Sequence, residues 1–458
     1  MAVKPLLLLC FLLVASLSVS SASDRSTSEE SEQPSDRRLP IPRPWKWGPD
    51  RKPQENPFHF PNQLFQTRYR NEHGHIRTLP RFDSNNRNLR GIANYRLLEF
   101  QARPQTFVLP HHSDAEYLVY VVSGKALFTI IVGSNRESYN LESDYVIRIP
   151  AGATAYVANR DDNQNLRIVK LVIPVNNDGQ FEDFFPVGQQ NPRSYYYGFR
   201  RRTLEAAFNS PYQEILRALL GQQSQALVRA TREQIRQLSQ NARSSQEAGQ
   251  TRLSPFNVRN FENPNSNNYA RFWEVHPNQV PQLQDLDVCV TFMVLNRGSL
   301  VLPHVNSRTW VVAYISQGTG EFEIAAPERE QGQEEQEGQE QERSYGEIQG
   351  LSSQLNEGDV FVVPPGYPFA LTSSNDNNME IVGFNINIQG NERSYLAGES
   401  ENMIAQIDSV AKELTFSGSA QQVQRLFKSQ GQSYFASAQP QQQQQQQQQG
   451  GESGYAFA

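Results

Sequence analysis

Residues 109–124 read LPHHSDAEYLVYVVSG and residues 302–318 read LPHVNSRTWVVAYISQG, so one pattern occurs twice in the chain. Each copy starts with Leu-Pro-His, continues through β-branched and aromatic residues, and ends at a glycine. Proline lacks a backbone hydrogen-bond donor, which places it at the start or the edge of a strand. The Val, Tyr and Ile residues that follow are typical of a buried strand. The pattern therefore predicts two similar units of strand and turn.

Two further motifs recur in the same order. Residues 141–152, LESDYVIRIPAG, return as residues 355–366, LNEGDVFVVPPG, and Arg193-Ser194-Tyr195 returns as Arg393-Ser394-Tyr395. The distance between the copies grows from 193 to 214 residues and then falls to 200. These offsets predict an insertion in the second copy and extra residues later in the first copy.

The repeated motifs resemble the bicupin family and, within it, the vicilin-type 7S seed storage globulins, over about residues 56–438. The resemblance implies a mainly β fold of two tandem cupin (jelly-roll) β-barrels, each followed by a helical arm. We call residues 56–245 the first module and residues 246–438 the second module. Short strands separated by Gly, Asn and Asp turns are typical of this antiparallel architecture.

The remaining segments differ in composition from the modules. Residues 1–22 have a lysine, an apolar run and small residues, as a secretory signal peptide has, and the run is too short for a membrane span. We expect disorder in the Pro-rich arm 23–55, the acidic insertion 327–347 and the Gln-rich tail 439–458. The net charge of −6 does not favour a nucleic-acid partner.

Four amphipathic helices are predicted at the ends of the modules, starting at Ser210, Thr231, Ser400 and Ser419. The helix after Ser210 is expected to stop at Gly221. Each helix must bury its apolar stripe, either on its own barrel or on a neighbouring subunit. The resemblance favours the second alternative, because vicilins form flat homotrimers through helical arms, and hetero-trimers with related vicilins are also expected.

Catalytic cupins bind a metal with His-x-His, then a Glu, and a further His after Pro-x-Gly. Carried over by resemblance, these positions hold His111, Ser113, Tyr117 and Ala155 in the first module, and His304, Asn306, Trp310 and Phe369 in the second. One imidazole of four ligands remains in each module, which is too few to bind a divalent cation tightly. We therefore expect no catalysis, no cofactor and no metal at these positions.

Two other places contain residue types that bind metals. Cys289 lies in an apolar strand pattern, where a buried hydrophobe is the simpler interpretation and a reactive or metal-binding thiol is the alternative. His73-Gly74-His75 is interpreted as a solvated turn rather than as a weak metal site. No phosphate loop, nucleophile elbow or paired-Cys motif is present in the sequence.

The resemblance implies a seed storage protein that travels through the secretory pathway to protein storage vacuoles and acts as a food allergen. The abundance of Asn, Gln and Arg suits a nitrogen reservoir. The alternative is a bicupin that binds a small, sugar-type ligand inside a barrel. Trp310 and Phe369 are predicted to plug the second barrel, whereas Ala155 leaves more room in the first.

Overall fold

The computed structural model describes residues 56–84, 86–220, 225–244, 251–327 and 348–439. The predicted signal peptide, the N-terminal arm, the helix stop at Gly221, the insertion beyond Pro327 and the tail beyond Gln439 lie outside the described residues. No helix among the described residues is long and apolar enough to cross a membrane.

The first module alternates strands with short turns and ends in helices. Its strands are β1 (His59–Phe60), β2 (Gln66–Asn71), β3 (Gly74–Thr78), β4 (Arg96–Ala102), β5 (Thr106–Ser113), β6 (Ala115–Ser123), β7 (Ala126–Val132), β8 (Asn135–Leu141), β9 (Tyr145–Ile149), β10 (Thr154–Asn159), β11 (Leu166–Pro174), β12 (Asp183–Phe184), β13 (Leu227–Arg229) and β14 (Arg243–Ser244). Its helices are α1 (Arg201–Phe208), α2 (Tyr212–Leu220) and α3 (Arg232–Gln240), and 3-10 turns lie at Asn62–Leu64, Arg87–Ile92 and Tyr195–Gly198.

The second module repeats this order. Its strands are β15 (Phe256–Asn257), β16 (Ala270–Val275), β17 (Val288–Leu295), β18 (Ser299–Asn306), β19 (Trp310–Gln317), β20 (Gly320–Pro327), β21 (Ile348–Leu355), β22 (Val360–Val363), β23 (Phe369–Ser373), β24 (Met379–Ile386), β25 (Arg393–Tyr395) and β26 (Phe435–Ser437). Its helices are α4 (Ser409–Thr415) and α5 (Ala420–Phe427), with 3-10 turns at Val258–Asn260 and Ile404–Gln406.

Two sheets form each barrel. The first module has sheets in the order β12-β5-β10-β7-β8-β14, with β13 beside β5, and β15-β9-β6-β11-β4-β3-β2. The second has β21-β20-β23-β18-β25, with β26 beside β18, and β1-β22-β19-β24-β17-β16. One apolar cluster fills the first barrel, and a larger one fills the second barrel and the face between the modules. These layers confirm the mainly β fold that the sequence predicts.

The modules exchange their first strands. Strand β1, from the start of the first module, pairs with β22 of the second, and β15, from the start of the second, pairs with β9 of the first. The exchange is anchored by equivalent aspartates: Asp359 accepts a hydrogen bond from the Asn62 backbone N–H at 2.8 Å, and Asp144 accepts one from Arg259 Nε at 2.9 Å. Each barrel is therefore completed by a strand from the other module.

Charged groups also join the modules across their shared face. The Tyr314 hydroxyl donates to Glu99 at 2.9 Å and accepts from Arg167 at 3.1 Å. Burial alone raises the pKa of Glu99, but His75, the paired Arg77 guanidinium and Tyr314 outweigh it and hold that pKa at about 2. Glu99 is therefore ionised and bound at neutral pH.

The helix predictions are partly confirmed. Thr231 and Ser419 each form a capping box at the start of α3 and α5. The prediction at Ser400 is wrong, because the Asn402 side chain caps a 3-10 turn there and α4 begins only at Ser409. The start predicted at Ser210 shifts to α2 at Tyr212, since the Ser210 hydroxyl bonds back to the Phe208 carbonyl.

The two Arg-Ser-Tyr segments match in sequence but do not occupy equivalent positions in the two barrels. Arg393–Tyr395 forms β25, which pairs with β18 near His304 and Asn306. In the first module the strand in that position is β12, Asp183–Phe184, which pairs with β5 at His112 and Ser113. Asp183 is therefore the counterpart of Arg393, which makes the offset at this strand 210 residues rather than 200. Four of the fourteen extra residues inferred for the first copy precede this strand.

Candidate functional site

The first barrel brings its four predicted cupin positions together. His111, Ser113, Tyr117 and Ala155 all line one small interior cavity. Ala155 lies directly opposite His111 in the pairing of β10 with β5. The geometry of the cupin site is thus retained although its ligand types are not.

His111 is held as a structural side chain. Its Nδ1 lies 2.9 Å from the Leu109 carbonyl oxygen, and its ring stacks on Phe185 with centroids 4.9 Å apart. Burial lowers the pKa of His111, so the neutral ring, with Nδ1–H donating to the carbonyl, is favoured. The neighbouring hydroxyls are also occupied: Ser113 Oγ donates to the Glu182 carbonyl at 2.9 Å, and the Tyr117 hydroxyl donates to Asp183 at 2.6 Å.

The second barrel repeats the arrangement around His304. Its Nδ1 lies 2.9 Å from the Leu302 carbonyl oxygen, and its ring packs against Phe369 with centroids 4.2 Å apart. Burial, followed by the charge of Arg393, lowers the pKa of His304 to about 3. Asn306 accepts a hydrogen bond from Asn391 at 3.3 Å. Phe369 therefore fills the space beside the histidine, as the sequence predicts.

The assignment of Trp310 to the Glu position is wrong by one residue. Val311 lies opposite Val363, just as Tyr117 lies opposite Ile149 in the first module. The bend before β19 contains one more residue, and a shift of one residue turns a side chain to the other face of a sheet. A Cβ atom on Gly91 would lie 2.4 Å from the Trp310 ring, so the indole packs against the first module and does not plug the second barrel.

A buried cation lies inside the first barrel and was missed from the sequence. Lys170 of β11 reaches within 5.1 Å of the Tyr117 ring centroid, and burial lowers its pKa to about 8, against the attraction of Asp183. Asp183 is also 3.5 Å from Arg68. The available signal was a lysine in the middle of the apolar run Leu166–Pro174.

In the second barrel the buried cation is Arg393 and its carboxylate partner is Glu274. Arg393 donates from Nη2 to Glu274 Oε1 at 2.9 Å. His276 Nε2 lies 3.4 Å from Glu274 Oε2, and Cys289 is fully buried nearby. Burial raises the pKa of Glu274, but the Arg393 charge and the His276 contact outweigh it and lower that pKa to about 2. The glutamate within Ala270–Val275 was the sequence signal for this cluster.

The cavity in the first barrel is too small for a sugar. Its volume is about 10 Å³, which corresponds to roughly one water molecule. The Ser113 and Tyr117 hydroxyls and the His111 Nδ1 that would bind a ligand are already hydrogen-bonded to other groups of the protein. Within the described part of the first barrel, the geometry does not support the sugar-binding alternative.

Comparisons with known proteins agree with this architecture. Residues 256–422 match the family model described as Cupin. Conglutin beta 4 of Lupinus angustifolius is 43% identical over 411 residues, which cover 86% of this chain and 68% of that protein. Conglutin beta 1 of Lupinus albus is 44% identical over 405 residues, which cover 84% of this chain and 75% of that protein.

A solved structure extends the agreement to three dimensions. The crystal structure of vicilin from Corylus avellana (hazelnut) superposes with a TM-score of 0.76 at 37% identity, and the match covers 83% of this chain and all of the hazelnut chain. Both the bicupin fold and the storage-globulin class predicted from the motifs are confirmed. The chain therefore belongs to the vicilin-type 7S seed storage globulins.

Proposed function

We propose that this storage globulin is a non-catalytic nitrogen reservoir. The observation that carries the proposal is the pair of histidines, His111 and His304, each with Nδ1 bound to a backbone carbonyl and its ring packed against an aromatic side chain. A cupin metal needs several imidazole and carboxylate ligands, and Ser113, Ala155, Asn306 and Phe369 supply none of those groups. The function then lies in composition and durability.

Metal analysis of the purified protein, combined with light scattering on the same sample, tests this proposal. We expect no stoichiometric manganese or iron after dialysis and no loss of assembly when such metals are removed. Stoichiometric manganese or iron that is released by replacing His111 or His304 with Ala would contradict it.

We further propose that three copies assemble through the helical arms. The arm of the second module exposes large apolar side chains: Val410 is 70% exposed, Leu414 84% and Leu426 68%. Such a stripe on neighbouring helices is unfavourable in water and typical of a binding surface. A head-to-tail contact between unlike arms closes into a ring, as in the homotrimer that the resemblance implies.

The first module offers a surface for this arm. A groove of about 550 Å³ lies beside α3 and β13, and it combines apolar residues such as Leu109 and Leu238 with the cations Arg136 and Arg229. The arm of the second module carries Asp408 and Glu413 next to its apolar stripe. Lys412, Arg425 and Lys428 give the same arm a net charge of +1, so the apolar area rather than charge favours the contact. We propose that a second copy's α4–α5 arm occupies the groove.

The exchange Leu414→Asp tests this assembly, with Val175→Asp as its control. Val175 is 61% exposed and follows directly after β11 of the first barrel, outside the helices of both arms. Light scattering should give a trimer for the parent and the control and a monomer for Leu414→Asp. A trimer of Leu414→Asp would reject the arm as the interface, and a monomeric parent would reject the assembly.

We also propose that the chain reaches protein storage vacuoles through the secretory pathway, and that it forms hetero-trimers with related vicilins. The family membership supports both statements. Immunogold labelling of developing seed tissue tests the compartment, and co-purification from seed of two vicilins in one particle tests the mixed assembly. Label confined to the cytosol would contradict the first proposal.

A further inference from the structure

Three different metal-binding side chains converge inside the second barrel, away from its degenerate cupin positions. Strands β16 and β17 pair with Val275 opposite Val290, which turns Glu274 and Cys289 to the same face of the sheet. His276 follows directly after β16. The ligand atoms of Glu274, His276 and Cys289 all lie within 4.8 Å of one another.

The spacing of these atoms suits a small tetrahedral ion. His276 Nε2 and Glu274 Oε2 are 3.4 Å apart. Two nitrogen or oxygen ligands bound to tetrahedral zinc at about 2.0–2.1 Å are separated by about 3.3 Å. A sulfur ligand lies slightly farther from the ion, at about 2.3 Å, and 4.8 Å leaves the thiol within a small side-chain movement of the same centre.

The surroundings orient the carboxylate for this purpose. Arg393 holds Glu274 Oε1 at 2.9 Å, while Oε2 faces His276 and accepts a hydrogen bond from Asn263 at 3.1 Å. Hydrogen bonds from residues behind a ligand fix its direction in metal sites. The positive charge of Arg393 opposes a cation, but the carboxylate and a thiolate together offset it. The site therefore needs Cys289 in its deprotonated form.

Access is available from one side. The His276 side chain is 41% exposed, whereas Cys289 is fully buried. An ion arriving from solvent meets the imidazole first and the thiol last. Thiolate, imidazole and carboxylate together are a donor set for zinc-like ions rather than for calcium or magnesium.

We propose that Glu274, His276 and Cys289 bind one divalent transition-metal ion of the zinc class, with solvent as the fourth ligand. On binding, the Cys289 S–H bond is replaced by a sulfur–metal bond and its proton is released to solvent. No oxidation or reduction takes place. The site is separate from the storage role, so either proposal can fail without the other.

Titration of the chain with cobalt(II) chloride under reducing conditions tests the site. Tetrahedral cobalt bound to a thiolate has visible ligand-field bands and a near-ultraviolet charge-transfer band, so the readout reports the sulfur itself. We expect both bands to saturate at one equivalent and to disappear when zinc is added. Of the two cysteines, Cys10 lies in the predicted signal peptide, so the titration uses the chain without that peptide, in which Cys289 is the single cysteine.

The variants separate this site from other cobalt binding. Cys289→Ser should lose the charge-transfer band. His276→Ala alters a half-exposed residue, preserves the fold and should weaken cobalt binding about tenfold or more. His73→Ala, at the β2–β3 hairpin, should leave the titration unchanged. Absence of the band in the parent, or a band that survives Cys289→Ser, would overturn the proposal.

Discussion

The two barrels have buried side chains of opposite charge at one equivalent position, Asp183 in the first and Arg393 in the second. In the first barrel Asp183, opposite Ser113, faces Lys170; in the second Arg393, opposite Asn306, pairs with Glu274. The aspartate of one copy thus corresponds to the arginine of the other. In both barrel interiors each buried charge lies near a charge of opposite sign, which reduces the free-energy cost of burying it.

We expect the largest loss in the free energy of unfolding for Arg393→Met, in the second barrel. This change leaves Glu274 buried beside His276 and Asn263, neither of which carries a fixed positive charge. Removing one partner of a buried ion pair costs about 3–5 kcal/mol. We expect a loss of that size in the free energy of unfolding, measured by urea denaturation in EDTA.

The double variant Arg393→Met/Glu274→Gln is the control for this prediction. It removes both charges and should recover most of the lost stability, because no uncompensated carboxylate remains. Equal destabilisation by the single and double variants would show that Arg393 acts through packing rather than through charge.

Acid should weaken the face between the barrels through Glu99, in the same pH range in which it affects Glu274 inside the second barrel. Glu99 has a folded pKa of about 2 against an ordinary 4.5, so the unfolded chain binds its proton first as the pH falls. The contribution of Glu99 is complete above pH 4.5, is lost between 4.5 and 2, and amounts to about 3 kcal/mol. Urea denaturation of the parent and Glu99→Gln should show a difference that shrinks across this window. A constant difference would contradict the assignment.

A smaller effect tests which barrel Trp310 belongs to. An alanine methyl group at Gly91 would meet the indole at 2.4 Å, and such overpacking costs about 1–3 kcal/mol. Thermal unfolding should show a lower midpoint for Gly91→Ala than for Gly350→Ala, whose new methyl group enters open space. Equal midpoints would indicate that Trp310 points elsewhere, including into the second barrel.

Trp310 also shows where reasoning from sequence succeeds and where it fails. The repeated Leu-Pro-His and Pro-x-Gly motifs predict the two barrels because strand propensity and proline chemistry are local. The face on which Trp310 lies depends on one extra residue in a bend, which the strand pairing reveals and the motif spacing does not. The exchange of β1 and β15 is likewise non-local, since each strand looks like the start of its own module.

The pairing of charges inside the barrels also depends on strand pairing that the local sequence does not reveal. Lys170 and Glu274 are visible in the sequence as charges within apolar strands. The partner of Glu274 lies 119 residues later in β25, and the partner of Lys170 lies across an irregular segment in β12, so neither pair can be read from strand spacing. The cluster of Glu274, His276 and Cys289 required the register of β16 and β17. From the sequence alone, Cys289 is therefore an isolated residue in an apolar strand pattern.

The smallest effect is expected for Lys170→Met, the counterpart of Arg393→Met. Asp183 keeps Arg68 at 3.5 Å and the Tyr117 hydroxyl at 2.6 Å, so no carboxylate is left without a partner. At pH 7 the free energy of unfolding of the variant should equal that of the parent or exceed it by about 1 kcal/mol.

The folded pKa of Lys170 is about 8 and the ordinary value is 10.5. The unfolded chain therefore binds more protons between these values, and the parent gains stability relative to the variant as the pH rises. Urea denaturation of both proteins from pH 7 to about 10.5 measures this difference. A variant destabilised as strongly as Arg393→Met would mean that Lys170 is an obligatory partner of Asp183, and the two barrels would then bury their charges by the same rule.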